Sequence, residues 1–229
     1  MTRDLVLSEA ALYLGNLKAF ISLGGGKDTN DGSLHTAALL ALPEFVRWLL
    51  QWYSADLEHE AFGMMIPLVV ACRSEARPWC RVANAESTFE KRRVKTMQLL
   101  ARKTDLSWRN RRKTVLHFAI DEGPDALQAM LEALDVAHDA RRNERYLYTD
   151  REGITYSLSC YIRHLLDPDN KDPKTLRMIL LLRDTGKLKD IMYRPEEPGP
   201  GVEQPVGYCG MPPDLERKWD AYSDYDSVY

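Results

Sequence analysis

Two segments of this chain share one pattern. "DGSLHTAALLALPEFVRWLL" (31–50) and "KTVLHFAIDEGPDALQAMLEAL" (113–134) both read Leu-His-x-Ala, then a proline eight or nine residues after the leucine, then an apolar stripe. A pattern that recurs in one chain limits the fold more than composition does. Each copy is a supersecondary unit that cannot bury its own apolar face, so the copies must stack. Leu34 and Leu116 are 82 residues apart, close to two units of about 33 residues plus an insertion. Pro67-Leu68-Val69-Val70-Ala71 lies between them, with Leu68 one 34-residue period after Leu34. It keeps proline, leucine and alanine and replaces the histidine with Val69.

The surplus falls in 74–90, "SEARPWCRVANAESTFE", which is polar and aperiodic and precedes the helical stretch "KRRVKTMQLLARK". A further unit opens at "DREGITYSLSCYI" (150–162), keeping Gly153 and Thr155 but placing Tyr156, Ser157 and Leu158 where Pro, Leu and His would stand. Its second helix, "PKTLRMILLLR" (173–183), follows an insertion near 165–172. Leu7–Gly25 reads as a shortened first unit.

With these residues (Leu34, His35, Ala37; Pro67, Leu68, Ala71; Thr114, Leu116, His117, Ala119; Gly153, Thr155) the chain resembles the divergent ankyrin-repeat proteins of the irregular, fungal type. The resemblance covers about residues 5–190 and implies an all-α fold: an ankyrin-like α-solenoid of four to five helix–turn–helix repeats with hairpin turns between them. The units fall near 5–28, 29–59, 60–108, 109–147 and 148–190. It also implies that His35 and His117 tie down their turns. Hairpins and first helices near 28–32, 58–63, 106–113 and 143–153 would line a concave binding face. Both insertions would emerge at the end of the stack away from the hairpin tips.

Local chemistry agrees with this reading. A threonine just before a helix accepts from a backbone N–H that has no helical partner, and Thr114 and Thr155 stand in that place. Ala37, Ala38 and Ala119 lack bulk, so neighbouring helices can approach. Pro43, Pro124 and Pro173 suit a first helical turn, where a missing N–H costs nothing, with Asp172 as a natural N-cap. Phe45, Val46, Leu49 and Leu50, and Leu127, Met130, Leu131 and Leu134, recur at helical spacing.

The other classes find little support. The net charge of −3 does not suit a polyanion binder. The longest apolar run, Met64–Cys72, is far short of the roughly 20 residues of a membrane span, and the first residues do not read as a signal peptide. Four scattered cysteines suggest reduced thiols and an intracellular protein, cytoplasmic or nuclear. His59, His138 and His164 lack metal or catalytic spacing, and Cys72 and Cys80 complete no zinc set. "SLGGGKD" (22–28) does not satisfy a phosphate-loop pattern. "LPEFVRWLL" (42–50) faintly resembles the opening of an F-box helix, but its apolar positions already belong to the repeat. No catalytic residues, cofactor or metal are expected.

Residues 91–113 hold ten Lys or Arg against one acid, Asp105. Such a run is either a solvated helix face plus a turn, or a patch for an acidic partner. Trp108, Arg109, Arg111, Arg112 and Lys113, continued by Arg145, Tyr146 and Tyr148, are the expected partner-binding ridge, because Arg, Trp and Tyr dominate interface hot spots. The partner expected is a protein, acidic or phosphorylated. Nucleic acid is disfavoured, since Trp108 alone interleaves the basic run. Ten of the 36 residues in 194–229 are Pro or Gly, which marks 191–229 as a linker and acidic-aromatic tail. The function expected is a non-catalytic interaction scaffold. The alternative is an adaptor presenting a client to a larger assembly, such as a ubiquitin ligase or signalling complex.

Overall fold

The computed structural model describes residues 3–26, 32–52, 56–61, 63–75, 88–134, 146–149, 151, 155–156, 158–163 and 172–184. Most of both insertions (76–87 and 164–171) and the 191–229 tail, together with Arg145 and Gly153, lie outside the described residues.

The described chain is mainly helical. In order it runs α1 (Arg3–Tyr13), α2 (Leu17–Ser22), α3 (Ser33–Leu39), α4 (Pro43–Trp52), α5 (Pro67–Cys72), α6 (Phe89–Ala101), β1 (Arg109–Asn110), β2 (Lys113–Thr114), α7 (Val115–Glu122), α8 (Pro124–Ala133), β3 (Tyr148–Thr149), β4 (Thr155–Tyr156), α9 (Leu158–Tyr161) and α10 (Pro173–Asp184). No described helix is long and apolar enough to cross a membrane.

Four of these helices open on proline, at Pro43, Pro67, Pro124 and Pro173. The ring fixes φ near its helical value at the position whose N–H has no helical acceptor. Between α7 and α8 a single residue turns the chain: Gly123, at φ 111°, a backbone angle open to glycine and costly elsewhere. At the matching turn after α3, Ala41 takes a left-handed φ of 51° and its N–H bonds Ala38 O at 3.2 Å.

Helices pack in two rows. In the first, α1, α3, α5 and α7 touch in succession, and in the second α4, α6, α8 and α10 do the same. Rungs join the rows where α3 meets α4, α5 meets α6 and α7 meets α8. Phe20 of α2 extends the second row, its ring edge-on to Phe45 at 5.4 Å and Trp48 at 5.8 Å. The inner helices of each row bury a stripe against both neighbours. Leu34, Ala37, Leu68, Ala71, Leu116 and Ala119 supply the first row, and Phe45, Val46, Met97, Leu100, Leu127 and Met130 the second.

Thr155 differs from expectation. It lies in β4, paired with Thr149, and α9 opens only at Leu158, so Thr155 stands too far upstream to be its N-cap. Thr114 lies in β2 and directly precedes α7.

Leu116 and Ala119 are fully buried where α7 meets its neighbours. Leu116→Ala should lower the unfolding free energy by about 2–5 kcal/mol in a denaturant titration, because the cavity adds to the lost transfer energy. Ala119→Arg should cost more, since it drives a charge between packed helices. Losses under about 1 kcal/mol for both would contradict this packing.

Candidate interaction surface

Three reversals of the chain precede α5, α7 and α9. Before α5, Ala61 and Met65 exchange backbone bonds, Ala61 N–H to Met65 O at 3.0 Å and Met65 N–H to Ala61 O at 2.9 Å. Before α7, β1 pairs with β2, Arg109 opposite Thr114 and Asn110 opposite Lys113. Arg111 and Arg112 form the tip, with Arg111 at φ 58°. Before α9, β3 pairs with β4, Tyr148 opposite Tyr156.

Side chains lace these reversals together. The His35 Nε2–H donates to Met65 O at 3.0 Å, from one unit into the next. Asn110 Nδ2 donates to Met64 O at 2.6 Å, reaching back to the first reversal. The Arg109 guanidinium donates to Leu147 O at 3.0 Å, reaching forward to the third. A row of hairpins is therefore held by bonds to backbone carbonyls, which do not depend on the neighbour's side chain.

At the root of the middle hairpin, His117 Nδ1 accepts from Thr114 N–H at 3.2 Å and lies 2.8 Å from the Thr114 hydroxyl. The backbone N–H makes Nδ1 an acceptor, which places the proton of the neutral imidazole on Nε2. That atom is buried with no hydrogen-bond partner among the described residues, amid the rings of Tyr161 at 4.8 Å and Tyr148 at 5.7 Å. Burial, then the charges of Arg109 and Lys113, push the His117 pKa down to about 3. Asp121 ties the cluster off: it accepts from Tyr161 Oη at 2.6 Å and from Lys113 Nζ, whose ammonium also sits 5.5 Å from the centre of the Tyr161 ring. Burial first, then the bond to Asp121, raises the Tyr161 pKa.

The expected ridge is only partly built. Arg109, Arg111 and Arg112 are exposed and adjacent at the hairpin. Lys113 is half-buried and neutralised by Asp121. Trp108 packs against the core. Tyr146 does not belong to the surface: it is 4% exposed, drawn into the core because its ring is mainly apolar area. Tyr148 is half-buried and stacks inward on His117 and Tyr161. The exposed surface at this hairpin is thus arginine-rich and not aromatic.

The basic run also divides. On α6, Arg92 Nε donates to Ala41 O at 3.3 Å. Arg93 Nη1 donates to Cys72 O at 3.2 Å and to Ser74 O at 3.4 Å, satisfying carbonyls left open where α5 ends. Lys95 approaches Glu44 at 3.7 Å. These cations hold helices together, whereas the arginines of the hairpin face solvent.

Sequence reasoning missed Asn110, Asp121 and Tyr161. Polarity before a helix hinted at Asn110, but nothing local announces a contact from 121 to 161. His59, assigned no role, sets its ring edge-on to His35 at 5.7 Å. Burial lowers the His35 pKa. Cys72 is fully buried and its thiol is pushed up to about 12, which suits packing and not nucleophilic chemistry.

No family model, curated protein or solved structure matches the chain.

The two depressed histidines make stability pH-dependent. Folded His117 stays neutral until about pH 3, whereas in the unfolded chain it takes a proton near its ordinary 6.5. Below 6.5 the unfolded state therefore binds more protons, and stability falls with pH across that window. The slope contributed is at most about 1.4 kcal/mol per pH unit. Unfolding free energies measured at pH 7 and 5 should differ by on the order of 1–2 kcal/mol more in the wild type than in His117→Gln. Equal pH dependence in both proteins would contradict a buried neutral His117.

Proposed function

We propose that this chain is a non-catalytic recognition module: a divergent ankyrin-type stack that binds an acidic or phosphorylated segment of a partner protein through its hairpin tips. The observation that carries the reading is the exposed Arg109, Arg111 and Arg112 on a hairpin laced to the hairpins before and after it. A tip fixed on both sides loses little freedom on binding. Arginine's planar fork meets carboxylate or phosphate oxygens in pairs, which favours such anions over isolated point charges. The succession of helix pairs, with His35 bonded into the following unit, supports the ankyrin-type assignment. The reduced thiols of Cys72 and Cys160 suit work inside the cell, in cytoplasm or nucleus.

An array of acidic and phosphorylated peptides tests this. Wild-type protein should retain a subset of them, with binding that weakens as salt rises. Arg109→Glu/Arg111→Glu/Arg112→Glu should lose that subset by at least about tenfold, with the melting temperature lowered only slightly by the lost Arg109–Leu147 bond. The double variant Arg111→Glu/Arg112→Glu, which breaks no observed bond, should melt as wild type does. Binding that survives the triple change would refute the reading.

A further inference from the structure

Two neighbouring hairpin tips present side chains of different chemistry. Arg111 and Arg112 form one, and Met64, on the reversal before α5, stands at the other. Met64 is 68% exposed, the highest value among the exposed large hydrophobic residues described. Beside it, a β-carbon on Gly63 would meet no atom within 4 Å, so the space around this tip is open. The tips adjoin, because the side chain that bonds Met64 O at 2.6 Å belongs to Asn110, the residue before Arg111. Both tips also hold a side chain where glycine would sit more easily. Among the described residues other than glycine, positive φ falls on Ala41, Met64 and Arg111. Ala41 is buried between α3 and α4, whereas Met64 at φ 66° and Arg111 at φ 58° are exposed. A left-handed backbone is costly for a residue with a β-carbon, and persists where packing or function needs that side chain. Packing does not need these two. Charge differs from tip to tip as well. Asp56, Glu58 and Glu60 are exposed on the approach to the Met64 reversal, so an anion is repelled there and drawn to the arginines.

We infer, on the basis of the hairpin reading proposed above, that the two tips read one extended partner segment at two points. Its anion meets Arg111 and Arg112, and an apolar side chain of the same segment meets Met64. The fold sets the spacing between the two points. These reversals lead into α5 and α7, which pack against each other, and packed helix axes lie about 8–10 Å apart. A polyproline II segment advances about 3.1 Å per residue and returns to the same face every three residues, a repeat of about 9 Å. Residues three apart in such a segment face both tips together. In a β-strand, residues three apart point to opposite faces. The unbranched thioether of Met64 adapts to leucine, isoleucine, methionine or phenylalanine, so it selects apolar character and not one shape. The segment recognised is therefore an anionic residue, phosphorylated or acidic, with an apolar residue three positions away.

Fluorescence anisotropy of the full chain with labelled synthetic peptides tests this. Each peptide has an alanine and proline background and one anionic residue, phosphoserine in one series and glutamate in the other. A single leucine is placed on either side of the anion, at each separation up to about six residues. Leucine three residues from the anion, on at least one side, should tighten binding at least about fivefold over alanine. Met64→Gly should abolish that preference without lowering the melting temperature, because glycine takes the left-handed backbone readily. Arg111→Glu/Arg112→Glu should lose every peptide. Binding that needs the anion but ignores leucine would overturn the two-point reading and leave the arginine reading standing. A leucine preference that peaks at another separation, or that Met64→Gly leaves in place, would do the same. No anion-dependent binding in either series would overturn both readings.

Discussion

Ala37, Ala71 and Ala119 have no exposed surface because the helices that carry them lie side by side. This close approach of α3, α5 and α7 is the constraint on which the remaining structure rests. A side chain larger than a methyl group at any of the three would force the first row apart. The spacing of the second row would then change, since rungs join the two rows. The prolines that open α4, α5 and α8 serve the same end, because they fix where each helix starts and so which residues face the next.

The hairpins depend on that spacing. Bonds from His35 to Met65, from Asn110 to Met64 and from Arg109 to Leu147 have donor–acceptor distances between 2.6 and 3.0 Å. Such bonds form only if neighbouring hairpins lie within side-chain reach of one another. The helical rows set that spacing, and the bonds tie the hairpins together. Charge is apportioned along the way. Arg92, Arg93 and Lys95 are engaged by carbonyls and a carboxylate between helices, and Lys113 is held by Asp121. Arg111 and Arg112 at the hairpin tip remain exposed without an ion pair among the described residues, as do Lys91, Arg102 and Lys103 elsewhere in the run.

Sequence carried the helical pattern well wherever a local rule acts. Proline starts, the Leu-His-x-Ala stretches and the apolar stripes of α4 and α8 all follow from backbone geometry and helical period. It carried the surface poorly, because exposure is decided by distant partners. Tyr146 and Tyr148 read as ridge residues, but one is drawn into the core and the other turns toward His117. Tyr161 looked unremarkable, although its hydroxyl meets a carboxylate forty residues away. Thr155 matched Thr114 by position, but its helix starts later, so equal sequence spacing did not give equal capping. The basic run looked uniform along the chain. A helix and a hairpin divide it, and a one-dimensional count of charges cannot register that division.

The orphan Nε2–H of His117 has a wider consequence. His35 spends the equivalent proton on a carbonyl of the following unit, and His117 does not among the described residues. The junction between α7 and the β3–β4 hairpin combines ring packing among His117, Tyr148 and Tyr161 with two bonds made by other side chains, Tyr161 to Asp121 and Arg109 to Leu147 O. Ring packing is tolerant of sliding, whereas a hydrogen bond is directional. Direction at the two junctions therefore comes from different residue types: a histidine clamps the earlier one, and a tyrosine and an arginine clamp the later one.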